Sequence, residues 1–270
     1  MRIFFLFIVS VFITTCFSCH SAGERKAIKT VVTDTIKNDS AKKINSSATI
    51  NQDSSKIGSP IFGYRFIITG DFNGDHKIDT LVEHYYDGNT HKETYKFNDS
   101  ADYDELVGLA STKDPVSFVT SSNGSIDTLY VANTSQLFGL SYLKNEGDLN
   151  GDGTDELSYV VDWADWSNLN TWHIMTYKDH RWKELYSFPI WDWQIPDLPQ
   201  SSTQYGLFGT AGKTITDSTD TINNNTIKDL QNFAGLVKKI ATNKIQIDCN
   251  VRGDEDTLII DLRHPRKIEE

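Results

Sequence analysis

The sequence predicts a mainly-β domain, and three observations carry that expectation. Apolar and β-branched residues recur with a period of two in one short segment after another. Clusters of Gly, Asn, Asp and Ser separate those segments. A strand-opening turn also recurs: "KIDTLVEH", "SIDTLYVA", "GTDELSYV" and "DEDTLIID" each run from an Asp through Thr or Glu to Leu and into a strand. Their aspartates are Asp79, Asp127, Asp155 and Asp256, at irregular spacing, so a repeated turn is supported and a regular solenoid is not.

Strands are predicted over 64–69, 79–86, 93–97, 116–120, 127–132, 156–163, 172–177 and 182–188. Residues 102–111 fit either a short helix or a strand. One helix is predicted over 226–242, because Ile227, Leu230, Ala234, Val237 and Ile240 or Ala241 share a face. Asn224 or Asn225 can cap its start and Asn243 can end it. A hairpin follows over 244–251 and 256–262. The "RGD" at 252–254 reads as its polar turn rather than as a motif for integrins.

The amino-terminal residues belong to something other than this domain. Arg2 precedes an apolar run from Ile3 to Ile13, interrupted by Ser10, and small residues follow. This reads as a secretory signal over 1–19, since a membrane span needs about 20 apolar residues. "TTCFSCHS" resembles a bacterial lipoprotein signal. The resemblance implies lipidation at Cys19, with Cys16 as the alternative, and a membrane-anchored protein of the bacterial cell envelope. Residues 20–57 are polar, carry seven Lys/Arg and four Asp/Glu, and read as a flexible tether.

The domain proper is 58–270, with 18 Lys/Arg against 33 Asp/Glu. That surface repels polyphosphate, so nucleic acid is excluded as a partner, whereas divalent cations suit it. Cys249 is its one cysteine, so the fold must hold without an intramolecular disulfide. A small apolar residue in a strand is the expected role.

Two segments concentrate oxygen donors. In "DLNGDGTDE", positions 1, 3, 5, 7 and 9 are Asp148, Asn150, Asp152, Thr154 (through its carbonyl) and Glu156. In "DFNGDHKID" the same positions are Asp71, Asn73, Asp75, Lys77 (through its carbonyl) and Asp79. Alternate residues of a tight loop can point inward together, and Ca²⁺ takes about 6–8 hard oxygens. Carboxylates this close repel one another without a cation. An EF-hand is excluded, because its position 12 needs a bidentate Glu and a helix afterwards. Here position 12 is Val82 or Tyr159 and strands follow. Position 6 demands a sharp turn, which Gly153 suits and His76 suits less, so the first loop is expected to bind more weakly.

A calcium loop leading straight into a strand resembles the FG-GAP/VCBS-type repeats of integrin α-like β-propellers and bacterial surface proteins. The resemblance rests on these two loops and their following strands, about a tenth of the domain. It implies a small or incomplete β-propeller, with a calcium-stapled β-sandwich as the alternative. The 77-residue step between Asp71 and Asp148 exceeds one blade of about 40–50 residues.

All six tryptophans fall between 163 and 193. Packing is one use for them. The other is a ligand face of Trp163, Trp166, Trp191 and Trp193, stacking on sugar rings while Asp162, Asp165 or Asp192 accepts hydroxyl hydrogen bonds. The function expected from all this is a lipid-anchored, calcium-binding, non-catalytic module for protein or glycan binding. A carbohydrate-active hydrolase using 162–193 is the alternative, although no nucleophile motif or His-rich site accompanies those acids.

Overall fold

A computed structural model describes residues 60–61, 63–98, 101–165, 167–199, 221–251, 254–266 and 268. The signal, the tether, Cys16, Cys19, Trp166, Arg252 and Gly253 lie outside them. The described residues form three antiparallel sheets, each built from strands consecutive or nearly so in sequence. The first holds β2 (Ile67–Gly70), β3 (Asp79–Asp87), β6 (Val116–Ser121) and β7 (Leu129–Asn133), with β4 (Lys92–Glu93) beside β3. A two-residue strand, β1 (Pro60–Ile61), pairs separately with β5 (Phe97–Asn98). The second sheet is a meander of β8 (Leu137–Gly147), β9 (Glu156–Trp163), β10 (Leu169–Tyr177) and β11 (Trp182–Trp191). The third is β12 (Val237–Ala241), β13 (Lys244–Val251) and β14 (Asp254–Asp261). None closes into a barrel.

The mainly-β expectation holds, and the strand patterns explain which predictions survived. β3 alternates buried and partly exposed residues, with Asp79, Leu81, Glu83 and Tyr85 inward. β9 begins and ends where its sequence predicts. β8 was not predicted. Leu137, Phe138, Leu140, Tyr142 and Leu143 are all buried, so both faces are covered and no polar alternation marks the strand. The predicted strand at 93–97 is instead two short pieces, β4 and β5, serving different partners. The predicted strand at 64–69 is regular only from Ile67.

The predicted helix over 226–242 is corrected. Helix α2 spans Thr221–Asn232, so Asn224 and Asn225 lie within it rather than capping it. Gly235, at φ 85°, breaks the chain away, and the β-branched Val237 begins β12 opposite Ile247. The apolar spacing that mimics one long helix spans two elements. Residues 102–111 resolve as helix α1, Tyr103–Lys113, because the Asp102 carboxylate accepts the Glu105 N–H at 2.9 Å.

Two cores form. Leu157, Tyr159 and Val161 of β9 belong to the first, with Phe66, Phe72, Leu81 and Tyr85. Val160 of the same strand belongs to the second, with Trp172, Ile174, Ile245 and Ile260. The second sheet therefore stands between the other two and lines one core with each face. A buried ion pair ties it to the first sheet. Glu83 accepts the Phe66 N–H at 3.0 Å and the Leu140 N–H at 3.1 Å. The Lys96 ammonium lies 2.9 Å from Glu83 and donates to the Leu140 carbonyl at 3.0 Å. Both side chains are fully buried. Burial pulls the Lys96 pKa down, while Glu83 opposes that by favouring the charged form.

Glu83→Gln strands that ammonium without a change of shape. It should lower stability by about 3–5 kcal/mol in urea unfolding, and a loss under about 1 kcal/mol would argue against the pair's structural role.

Candidate metal centre

Each oxygen-rich loop joins the first two strands of its sheet: residues 71–79 connect β2 to β3, and 148–156 connect β8 to β9. Position 2 anchors both. Phe72 is buried in the first core and Leu149 in the second. The two loops then fold through one hydrogen-bond pattern. In the first, the Asp71 carboxylate accepts the Gly74 and His76 N–H groups, each at 2.8 Å. Asn73 Oδ1 accepts the Asp75 N–H at 3.0 Å, and Asp75 Oδ1 accepts the Lys77 N–H at 2.9 Å. In the second, Asp148 accepts from Gly151 and Gly153, Asn150 from Asp152, and Asp152 from Thr154. These contacts curl both backbones through the same succession of Asx turns. Each carboxylate keeps lone pairs beyond those the N–H groups use.

Position 6 has φ 63° at His76 and φ 88° at Gly153. The expected left-handed turn is therefore present in both, with a side chain carried through it in the first.

The position-9 acids are buried at the foot of each loop. Asp79 is 2% exposed; its Oδ1 accepts the Asn123 amide at 2.9 Å, and its Oδ2 has no hydrogen-bond partner among the described residues. A buried carboxylate oxygen with an open lone pair is costly, and a cation satisfies it. Glu156 is fully buried and accepts the Leu149 N–H at 2.6 Å and the Asn150 side chain at 2.8 Å. Burial pushes Glu156 up to about 7, against the pull of the Leu149 backbone N–H, the Thr176 side chain and the Asn150 backbone N–H. At Asp152, desolvation is outweighed by hydrogen bonds from Thr154 and Asn150 and by the charge of Lys178, which hold the carboxyl below its usual range. Lys77 and Lys178 sit 3.6 Å from Asp75 and Asp152. Among the described residues no group of three or more His, Cys, Asp or Glu side chains is arranged to hold a metal. A cation in these loops would also draw on Asn73, Asn150 and main-chain carbonyls. All-oxygen donor sets of this kind suit a hard ion.

Sequence reasoning missed the tertiary partners. The β6–β7 turn brings Asn123 to Asp79, and Ser125 accepts the Asn73 amide at 3.0 Å. Between the loops and the tip of the β10–β11 hairpin lies a polar cleft of about 400 Å³, lined by Asn73, Asp75, Asp152, Thr154, Tyr177 and His180 among others. The strands predicted at 172–177 and 182–188 imply the hairpin but not the place where its tip arrives.

The tryptophans divide. Trp172 is fully buried, and Trp182 packs on the first core while its indole N–H donates to the Asp127 carbonyl at 2.8 Å. Trp191 and Trp193 stack at 4.7 Å and 8°, with Trp193 62% exposed. Trp163 is exposed at the end of β9. Asp192 is held by the Asn170 amide at 3.0 Å. Burial pushes Asp162 up to about 7, opposed by Lys96 and assisted by Asp192, Glu83 and Asp165. The chain matches no protein family, no curated protein and no solved structure.

Two outcomes are expected. His76→Gly removes left-handed strain and should raise stability without added cation by about 1 kcal/mol in urea unfolding; a decrease would contradict the strain. The second concerns pH. Asp162 binds its proton more tightly folded than unfolded, so its contribution is present below the ordinary carboxyl pKa and is lost as pH rises toward about 7. The stability of Asp162→Asn relative to wild type should therefore climb between about pH 4 and pH 7. Parallel stability curves would contradict the shift.

Proposed function

We propose that this domain is a calcium-binding, non-catalytic module, lipid-anchored at the bacterial cell envelope, that displays a surface to a protein or glycan. The observation that carries the calcium reading is the pair of loops with one hydrogen-bond pattern, together with the unsatisfied, buried Asp79 oxygen. Asp71, Asn73, Asp75, Asp79 and the Lys77 carbonyl would hold one ion. Asp148, Asn150, Asp152, Glu156 and the Thr154 carbonyl would hold the other. The ion neutralises crowded carboxylates and fixes the strand connections; its role is structural. The anchor rests on the lipoprotein-like "TTCFSCHS".

The proposed architecture is a small or incomplete propeller of FG-GAP type rather than a calcium-stapled sandwich. Three successive meanders support it, as does the position of each loop after the first strand of its sheet. The long step between loops also finds an explanation. Between β3 and β6 lie 28 residues carrying β4, β5 and α1. Removing them from the 77-residue step leaves 49, within the blade range of about 40–50 residues.

A glycan is favoured over a protein ligand by one feature, the flat exposed face of Trp193 beside Asp192. The elevated Asp162, with Asp192 also raised by burial, favours the hydrolase alternative. A glycan array separates them: retention without turnover supports binding, and cleavage lost in Asp165→Asn or Asp192→Asn supports the enzyme.

For ions bound with Kd near 10⁻⁴ M, 1 mM Ca²⁺ should add about 1.4 kcal/mol per site. The melting temperature should then rise by roughly 5–10 °C over that in chelator. Asp148→Ala should remove more of the rise than Asp71→Ala. Identical curves with and without Ca²⁺ would overturn the reading.

A further inference from the structure

The two loops touch through a pair of hydrogen bonds between Asp71 and Asp155. The Asp71 N–H donates to Asp155 Oδ2 at 3.0 Å, and the Asp155 N–H donates back to the Asp71 carbonyl at 2.8 Å. The Asn145 amide orients the bridge, donating to Asp155 Oδ2 at 2.9 Å and to the Thr69 carbonyl at 2.8 Å. Gly70 permits the approach, since a Cβ there would collide with the Asn145 amide and the Asp155 carboxylate. Asp71 is the first ligand position of its loop. Asp155 is the eighth residue of the other, between Thr154 and Glu156, and is not itself in the ligand set.

We propose that this bridge couples the two loops, so that a cation held in one raises the affinity of the other, with Asp155 as the positioning residue that transmits the effect. The inference rests on the calcium reading above. Its physical basis is shared ordering. A cation in the second loop fixes Thr154 through its carbonyl and Glu156 through its carboxylate, and thereby fixes Asp155 between them. Asp155 in turn holds both backbone polar groups of Asp71. The main chain from which the first ligand of the other cage projects is then already placed, and the second ion meets a smaller ordering cost. Reciprocity follows by linkage, so loading the first loop must favour the second equally.

Charge works in the opposite direction. A filled loop offers its neighbour less negative potential, and that effect is screened by salt, while the hydrogen-bonded bridge is screened far less. The coupling should therefore be stronger at high ionic strength than at low.

The test is calorimetric titration of the full chain with CaCl₂ in a double-mutant cycle. Asp148→Ala disables the second loop and should weaken binding at the first by about fivefold or more, the lower end of ordinary allosteric coupling. In an Asp155→Ala background the same change should weaken it less than about twofold, because the bridge is already cut. Equal losses in both backgrounds, or no loss in the first, overturn the coupling and leave the calcium reading standing. A titration with no binding at either loop overturns both. If Asp155→Ala does not fold, hydrogen exchange in Asp71→Ala reads the same bridge. Ca²⁺ bound in the intact second loop should slow exchange of the residue-71 amide, although that residue's own loop is disabled. Unchanged exchange at that amide, with Ca²⁺ demonstrably bound, overturns the proposal.

Discussion

Asp71 and Asp155 exchange two hydrogen bonds at the seam between the first and second sheets, and the face of the domain that carries the oxygen-rich loops is organised about that exchange. On one side the first loop continues to the β6–β7 turn through Asn73, Asp79, Asn123 and Ser125. On the other the second loop meets the third sheet, where the Asn243 N–H donates to the Leu149 carbonyl at 3.0 Å and the Lys239 ammonium donates to the Asp148 carbonyl. The seam thus joins all three sheets along their loop ends. The β12–β13 turn stands at the same place in the third sheet but consists of Thr242 and Asn243 alone. A lysine, not a loop of carboxylates, faces its neighbour there.

Deeper in the molecule the sheets are joined by different means. Glu83 and Lys96 meet in the first core with backbone partners on both sides. Taking such a pair out of water costs several kcal/mol per ion, so its net contribution to stability is small, while its geometric demand is strict. Apolar burial drives the assembly, and β9 divides it by sending alternate residues to the two cores. The polar bridges then set register between sheets that apolar contact alone would leave free to slide. This division of labour suits a chain whose domain carries a large excess of acids. Its acids outnumber its bases by 33 to 18, and the two loops gather Asp71, Asp75 and Asp79 in one and Asp148, Asp152 and Glu156 in the other.

Much of this was legible in the sequence for a simple reason: the information was local. A loop that folds by Asx turns declares itself through its own Asp, Asn and Gly residues, and a half-buried strand such as β3 through its own alternation. What was not legible depended on tertiary neighbours. β8 is covered on both faces and so lost the alternation that marks a strand. The apolar spacing across 226–242 matched a helix because Leu230 on α2 and Val237 on β12 happen to fall at helical intervals, while Gly235 carried the true signal. Asn145 and Asn123 were invisible as supports of the loops, since Asn145 reaches from within β8 and Asn123 acts on a carboxylate supplied by another strand connection. The tryptophans were ambiguous for the same reason. Composition could not distinguish the buried Trp172 from the exposed Trp193.

If the loops hold ions, the seam changes character. Crowded carboxylates, now steadied by backbone N–H groups, become closed cages, and the connections they form stiffen the face that lines the polar cleft. A binding surface presented there, or at Trp193, would be held on a rigid frame, which lowers the ordering cost of recognition. The most direct test of this account is the number of calcium ions the intact chain retains in native mass spectrometry from millimolar Ca²⁺. Two ions per chain are expected, falling to one when either first-position aspartate is replaced; a chain that carries none would contradict the two-cage reading.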